Sequence, residues 1–281
     1  MITTWLCTGD KHGNMSFLNN LSEIYTPETT AIIILGDAGL NFYLNKSDYQ
    51  LKQRVEDYGF TLYCIRGNHE SRPTDIPNIQ KVFDKEVNGE IWYEPEFPHI
   101  KYFQDFGIYK INGYYILVIG GAYSVDKWWR LAKSGLQEEN NNPKKSGWWN
   151  NEQLSAAERN DYYDTLRYAN GVNHMVYDFV LTHTCPISYE PRDLFLPSVN
   201  QNTVDKTMEL WLEDVKNLIS WKHWLFGHYH ADRIEAPYVE QFYHDVESFD
   251  DITERWRAYD NADKKLIISR NTRSLRSPNL I

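Results

Sequence analysis

Long apolar runs are missing from this 281-residue chain. No window reaches ~18 consecutive apolar residues, so no transmembrane helix is expected. Positive charge is also in short supply. Lys plus Arg total 29 against 39 Asp plus Glu, a formal charge of −10. That balance disfavours stable, charge-driven binding to nucleic acid or to an anionic membrane surface. Cysteine is scarce and odd in number: Cys7, Cys64 and Cys185, each in or beside an apolar run. A disulfide framework is thereby disfavoured, and reduced, buried thiols in a cytoplasmic protein are expected. Asp10, Lys11 and His12 break the start before a signal-peptide core can form. Internal repeats and low-complexity tracts are lacking.

Aromatic residues are abundant at 15%, a large payload for burial that excludes disorder as the main state. Short apolar runs recur, each ending in a polar turn. They are Thr3–Thr8, Ala31–Leu35, Thr61–Ile65, Tyr114–Ile119, Tyr177–Leu181 and Trp224–Phe226. Runs of this length and composition read as buried strands. Helix patterns lie between them: Ser47–Tyr58 with Gly59 as its stop, Asn151–Tyr168 with Asn150 or Asn151 as cap, and Met208–Ile219. The alternation implies an α/β chain with a largely parallel sheet. One domain over 1–281 is expected. Residues 126–151, rich in Trp and Asn, read as an insertion over the mouth of a site. The segment 240–281 reads as peripheral, with a strand candidate at Leu266–Ser269.

The residues just beyond the strands carry the chemistry. Asp10, His12, Asp37, Asn68, His69, His183, His228 and His230 follow five of the runs and use five of the nine histidines. Ligands of open α/β sheets bind beyond the carboxyl ends of strands. Imidazole mixed with carboxylate suits two adjacent divalent ions of the manganese, iron or zinc kind, and not calcium. His99, His174, His223 and His244 lack such a context and read as structural.

In order, Asp10-x-His12, Gly36-Asp37, Gly67-Asn68-His69-Glu70, His183 and Gly227-His228-x-His230 resemble the motifs of the calcineurin-like metallophosphoesterases. The resemblance spans about residues 5–235. It implies a four-layer α-β-β-α sandwich, two packed mixed sheets with helices outside. It also implies that Asp10, His12 and His230 hold one metal ion, that Asn68, His183 and His228 hold a second, and that Asp37 bridges them. Manganese is the expected metal, with iron, zinc or nickel as alternatives. Two such ions lower the pKa of a shared water and offset charge in an in-line displacement. His69 is the candidate acid for the leaving group. Arg130 and Asn68 are the candidates for phosphate contact, with Arg192 and Arg233 as rivals to Arg130; Arg66 reads as a buttress of the Gly67–Glu70 turn. Cys185 reads as a small buried residue before Pro186, and the paired tryptophans as loop packing or a stacking surface.

The expected activity is hydrolysis of a phosphomonoester or phosphodiester, a nucleotide or other small phosphorylated molecule being the substrate. A serine/threonine protein phosphatase is the alternative, and a non-catalytic scaffold a third reading. That protein-phosphatase branch carries Gly-Asp-x-x-Asp-Arg-Gly. Here Leu40 and Asn41 stand where its Asp and Arg would be. Nothing in the sequence identifies a partner protein.

Overall fold

The computed structural model describes residues 1–262, so the strand candidate at Leu266–Ser269 lies outside the described residues. The first half runs β1 (Thr4–Thr8), α1 (Phe17–Ser22), β2 (Thr30–Ile34), α2 (Lys46–Tyr58), β3 (Thr61–Cys64), β4 (Gln80–Asp84), β5 (Gly89–Tyr93), β6 (Ile100–Phe103), β7 (Phe106–Ile111) and β8 (Tyr114–Ile119). It continues through α3 (Lys127–Ser134), α4 (Pro143–Ser146), α5 (Ala156–Asn173), β9 (Val176–Thr182), α6 (Thr207–Leu218) and β10 (Ser220–Phe226). Three short strands, β11 (Arg233–Ala236), β12 (Val239–Gln241) and β13 (Val246–Ser248), precede α7 (Phe249–Asn261).

Among the described residues the strands form two mixed sheets. One has the order β13-β1-β2-β3-β6-β5-β4, the other β11-β12-β10-β9-β8-β7. Strand periodicity explains why four layers result. In the first sheet Trp5, Cys7, Ala31, Ile33 and Tyr63 face inward, onto Ile116, Val118, Phe179, Leu181 and Leu225 of the second. Their neighbours Leu6, Ile32, Ile34 and Leu62 face outward and pack under α1 and α2 through Leu18, Leu21 and Val55. Likewise Leu117, Val180, Trp224 and Phe226 pack under α5 and α6 through Leu166, Met208, Leu212 and Val215. Successive side chains point to opposite faces of a strand, so a run apolar at every position needs cover on both sides. The result is the expected α-β-β-α sandwich.

The helices start where local chemistry allows. Asn45 caps α2, accepting from Ser47 N at 2.8 Å, and Gly59 ends it at φ 74°. For α5 the cap is Ser155, in a reciprocal box with Glu158, and not Asn150 or Asn151. The 126–151 segment is itself helical through α3 and α4, with Trp148 and Trp149 buried and Trp128 and Trp129 exposed.

A correction concerns residues 240–262. They are not peripheral: β13 is an edge partner of β1, and Phe249, Ile252 and Trp256 sit in the core between the sheets. Very short strands give little periodic signal, which is why this segment reads as peripheral in the sequence.

Candidate metal centre

The turns that follow β1, β2, β3, β9 and β10 meet at one end of the sandwich. Asp10 and His12 follow β1, Asp37 follows β2, Asn68 and His69 follow β3, His183 follows β9, and His228 and His230 follow β10. Four of these residues hold left-handed backbone: His12 at φ 44°, Asp37 at 48°, His228 at 70° and His230 at 53°. Such conformations are costly for non-glycine residues and cluster at functional sites. Close approach accounts for three of the motif glycines, Gly227 among them because its Cβ would overlap the Asp10 carboxylate. A Cβ on Gly36 would overlap the His183 ring, and one on Gly67 would overlap the Asp37 carboxylate.

The donor atoms converge. His12 Nε2 lies 2.9 Å from His230 Nε2, and Asp10 Oδ2 is 3.2 Å from His230 Nε2 and 3.8 Å from His12 Nε2. On the other side His183 Nε2 is 2.9 Å from Asn68 Oδ1 and 3.6 Å from Asp37 Oδ2. His228 packs its ring against His183 at 4.9 Å, and its backbone N–H donates to Asp10 Oδ1 at 2.8 Å. Two compact groups result, Asp10 with His12 and His230, and Asp10 with Asp37 and His183. Asp10 is the carboxylate common to both.

The electrostatics fit a cation. Burial alone would raise the Asp10 and Asp37 carboxyls, but the His183 imidazole beside them outweighs it; Asp10 is held below, and Asp37 well below, the ordinary value. Burial works against a charged His183, yet Asp37 and Asp10 pull it up to about 9. His228 is pushed down to about 3 by burial and by His183. Without a metal, then, a proton on His183 balances two buried carboxylates, a role a divalent ion fills instead. Asp10 Oδ2 and His69 Nδ1 are buried without a well-aligned hydrogen bond, as expected of atoms reserved for a ligand.

Residues outside the motifs hold these donors in place. His183 Nδ1 lies 2.8 Å from Leu35 O, which commits Nε2 to the centre. Asn68 Nδ2 donates to Ser124 Oγ at 2.8 Å, and Glu152 accepts from both Oγ and N of Ser124. The amide oxygen of Asn68 is thus turned toward His183. Sequence reading missed Ser124 and Glu152, because neither belongs to a motif and the contact spans 56 residues. Arg66 does buttress the turn: Nε donates to Asp105 at 2.6 Å, and its carbonyl accepts from Gly121 N.

His69 lies beside the donors, its ring 5.8 Å from that of His12, and its backbone N–H donates to Asp37 Oδ1 at 2.8 Å. Burial holds it below its ordinary pKa, with Asp37 opposing and Arg130 reinforcing. Arg130 spends Nε on Asp126 at 2.7 Å and Nη1 on Gly147 O, above the Phe42 ring. None of Arg130, Arg192 and Arg233 lines the cavity at the centre; Arg130 is the one whose charge acts on His69. Leu40 is in the core, and Asn41 is buried against Tyr102 and Lys52, so neither meets a phosphate. Of the histidines read as structural, His223 stacks on Phe179 within β10 and His99 pairs with Glu56. All three cysteines are buried.

No helix of the described residues is long and apolar enough to cross a membrane. None of the curated proteins compared matches the chain. Among solved structures, it is similar to TT1561 of Thermus thermophilus, with 13% identity over 87% of this chain and 89% of that one, at a TM-score of 0.43. It is also similar to the phosphopantetheinyl hydrolase PptH from Mycobacterium tuberculosis, with 13% identity over 99% and 98% and a TM-score of 0.44. The family model for calcineurin-like phosphoesterases matches residues 4–232, a stretch that holds every donor of the centre. The chain belongs to the calcineurin-like phosphoesterase family.

Proposed function

We propose that this protein hydrolyses a small phosphomonoester or phosphodiester, a nucleotide among the candidates, with two divalent ions at the Asp10–His230 centre. The observation that carries the reading is the pair of three-donor groups sharing Asp10. Asp10, His12 and His230 would hold one ion and Asn68, His183 and His228 the other, with Asp37 as the bridge; the second donor group sets Asp37 beside Asp10 and His183 and does not include His228. Manganese is proposed ahead of iron, zinc or nickel, all of which accept such ligands. Bound ions of this kind supply an activated water and neutralise charge on the phosphoryl group.

The chain's own residues orient and protonate. Ser124 and Glu152 fix the Asn68 amide, and Leu35 O fixes the His183 ring. His69 is mainly neutral near pH 7, since its pKa is lowered. A neutral ring still carries one N–H, and an approaching phosphoryl charge favours the protonated form. Its buried Nδ1 has no protein partner, which suits proton donation to the departing oxygen. Arg130 keeps Nη2 for a phosphoryl oxygen, and Asn68 is the second proposed contact. Three buried thiols support a cytoplasmic setting.

The test is hydrolysis of p-nitrophenyl phosphate beside bis-p-nitrophenyl phosphate after metal stripping and manganese reloading. Manganese-dependent turnover and two ions per chain are expected. His69→Ala should keep both ions, slow alkyl esters by ~10²–10⁴-fold and spare the activated aryl esters more. Equal losses on both ester types would remove His69 from the acid role.

A further inference from the structure

A cavity of about 260 Å³ opens beside the centre. Asp37, Asn68, His69, His228 and His230 line its metal end. Leu194, Leu196, Val199 and Val204, from the segment before α6, and Val125, which follows β8, supply an aliphatic wall, and Asp205 and Lys206 are among the polar groups beside it. Leu194 and Leu196 are 38% and 55% exposed. Large aliphatic side chains left open beside a catalytic cavity are surface that a bound apolar group would cover.

A polar atom waits in the same cavity. Glu209, in the first turn of α6, lines it and is only 3% exposed. Its Oε1 accepts from Thr184 Oγ1 at 2.7 Å, while its Oε2 is buried with no hydrogen bond. Lys206, the nearest cation in sequence, is spent on Glu190 at 2.6 Å. Burial pushes the Glu209 carboxyl up to about 7. A buried polar oxygen without a partner is costly and calls for an explanation. A donor carried by the ligand would satisfy it.

We infer that this cavity is the leaving-group pocket and that it selects phosphoesters of an alcohol with a compact apolar body ending in an N–H or O–H donor for Glu209. The inference rests on the phosphoesterase reading and narrows it. Size supports it: 260 Å³ lies just below the usual ligand-pocket range of about 300–1,000 Å³, which suits a ring-sized group and not a protein loop. The reaction is hydrolysis. The oxygen of water bonds to phosphorus, the P–O bond to the alcohol breaks, and a proton passes to the departing alkoxide, so no other co-reactant is needed.

The test uses the manganese-loaded full chain and three probes: ethyl, 2-phenylethyl and 2-(4-aminophenyl)ethyl phosphate, each also as its methyl diester. All release primary alkoxides of similar basicity, so rate differences report the pocket. The expected kcat/KM rises about tenfold from ethyl to 2-phenylethyl and about tenfold again with the amino group. Glu209→Gln keeps the Thr184 bond through its amide oxygen and puts NH₂ in place of Oε2. It should erase the second gain and leave the first. Leu194→Ala with Leu196→Ala, both at exposed positions, should erase the first. Equal rates on ethyl and 2-phenylethyl esters, an amino preference that survives Glu209→Gln, or turnover of the p-nitrophenyl esters alone would overturn the inference and leave the phosphoesterase reading standing. No manganese-dependent turnover of any ester would defeat that reading itself.

Discussion

At the scale of single residues, the centre is a problem of close approach. Gly36 sits at φ 94°, and the His183 ring occupies the space where its Cβ would be. Gly36→Ala should therefore cost about 2–5 kcal/mol, from backbone strain plus overpacking. Urea denaturation measures the loss, and a metal count should fall with it if the displaced His183 ring supplies the proposed ligand nitrogen. Ser124 poses a subtler case. Ser124→Ala removes the acceptor of the Asn68 amide N–H and leaves the fold intact. Metal affinity should drop by about 10–100-fold, the usual effect of losing a residue that orients a ligand; chelator competition reads it, and Ser124→Thr should restore most of it. The two residues also mark what sequence could tell. Gly36 was legible because it adjoins Asp37 in a motif, as were Asp10, His12, Asp37, His183 and His230, which the structure brings together. Ser124 and Glu152 were not, since a buried hydrogen-bond chain between distant loops leaves no pattern in one sequence.

At the scale of elements, apolar periodicity located the six central strands and α2, α5 and α6 to within a few residues, apart from the start of α5. Its true cap, Ser155 with Glu158 three residues on, is a capping box visible in the sequence; Asn150 and Asn151, also good cap residues, competed with it. The strands β4 to β7 escaped notice because a charged residue interrupts each apolar run, and β4 is largely exposed. Two Asn-Gly pairs, at 88–89 and 112–113, were available hairpin signals. Glu158 also ties α5 to the turn after Asn68, through Arg72 at 2.6 Å. Burial would raise the Glu158 carboxyl, but Arg72 and the Ser155 cap bring it down to about 2. A depressed carboxyl stabilises the fold above its unfolded value of ~4.3 and loses that contribution as pH falls to about 2. The Glu158 side chain is 29% exposed, so solvent screening limits the contribution to about 1 kcal/mol. Glu158→Gln should thus be about 1 kcal/mol less stable than the parent at pH 7, with the gap closing toward pH 2. A gap that persists there would assign the loss to the cap and not to the ion pair.

At the scale of the whole molecule, the centre is assembled from both sheets. Asp10, His12, Asp37 and Asn68 follow strands of the first; His183, His228 and His230 follow strands of the second. A bound ion therefore clamps the sandwich at one end, as Ile33, Phe179 and Trp256 do within it. Metal that binds only the folded chain should stabilise it by about 2.7 kcal/mol at 100 times Kd. For a chain of this size that is roughly 5–10 °C in Tm, and Asp10→Asn should abolish the increment. The pH dependence follows from His183, whose raised value of about 9 belongs to the metal-free chain. A raised histidine stabilises the fold fully below its unfolded value of ~6.5 and loses that contribution as pH climbs through about 9. The ligated nitrogen must be unprotonated, so metal binding strengthens over the same interval. The metal-free chain weakens with rising pH while the loaded chain does not. Calorimetry with and without manganese should accordingly show a Tm gap that widens from about pH 6.5 to about 9. A gap independent of pH would mean that His183 keeps its proton and stands outside the metal set.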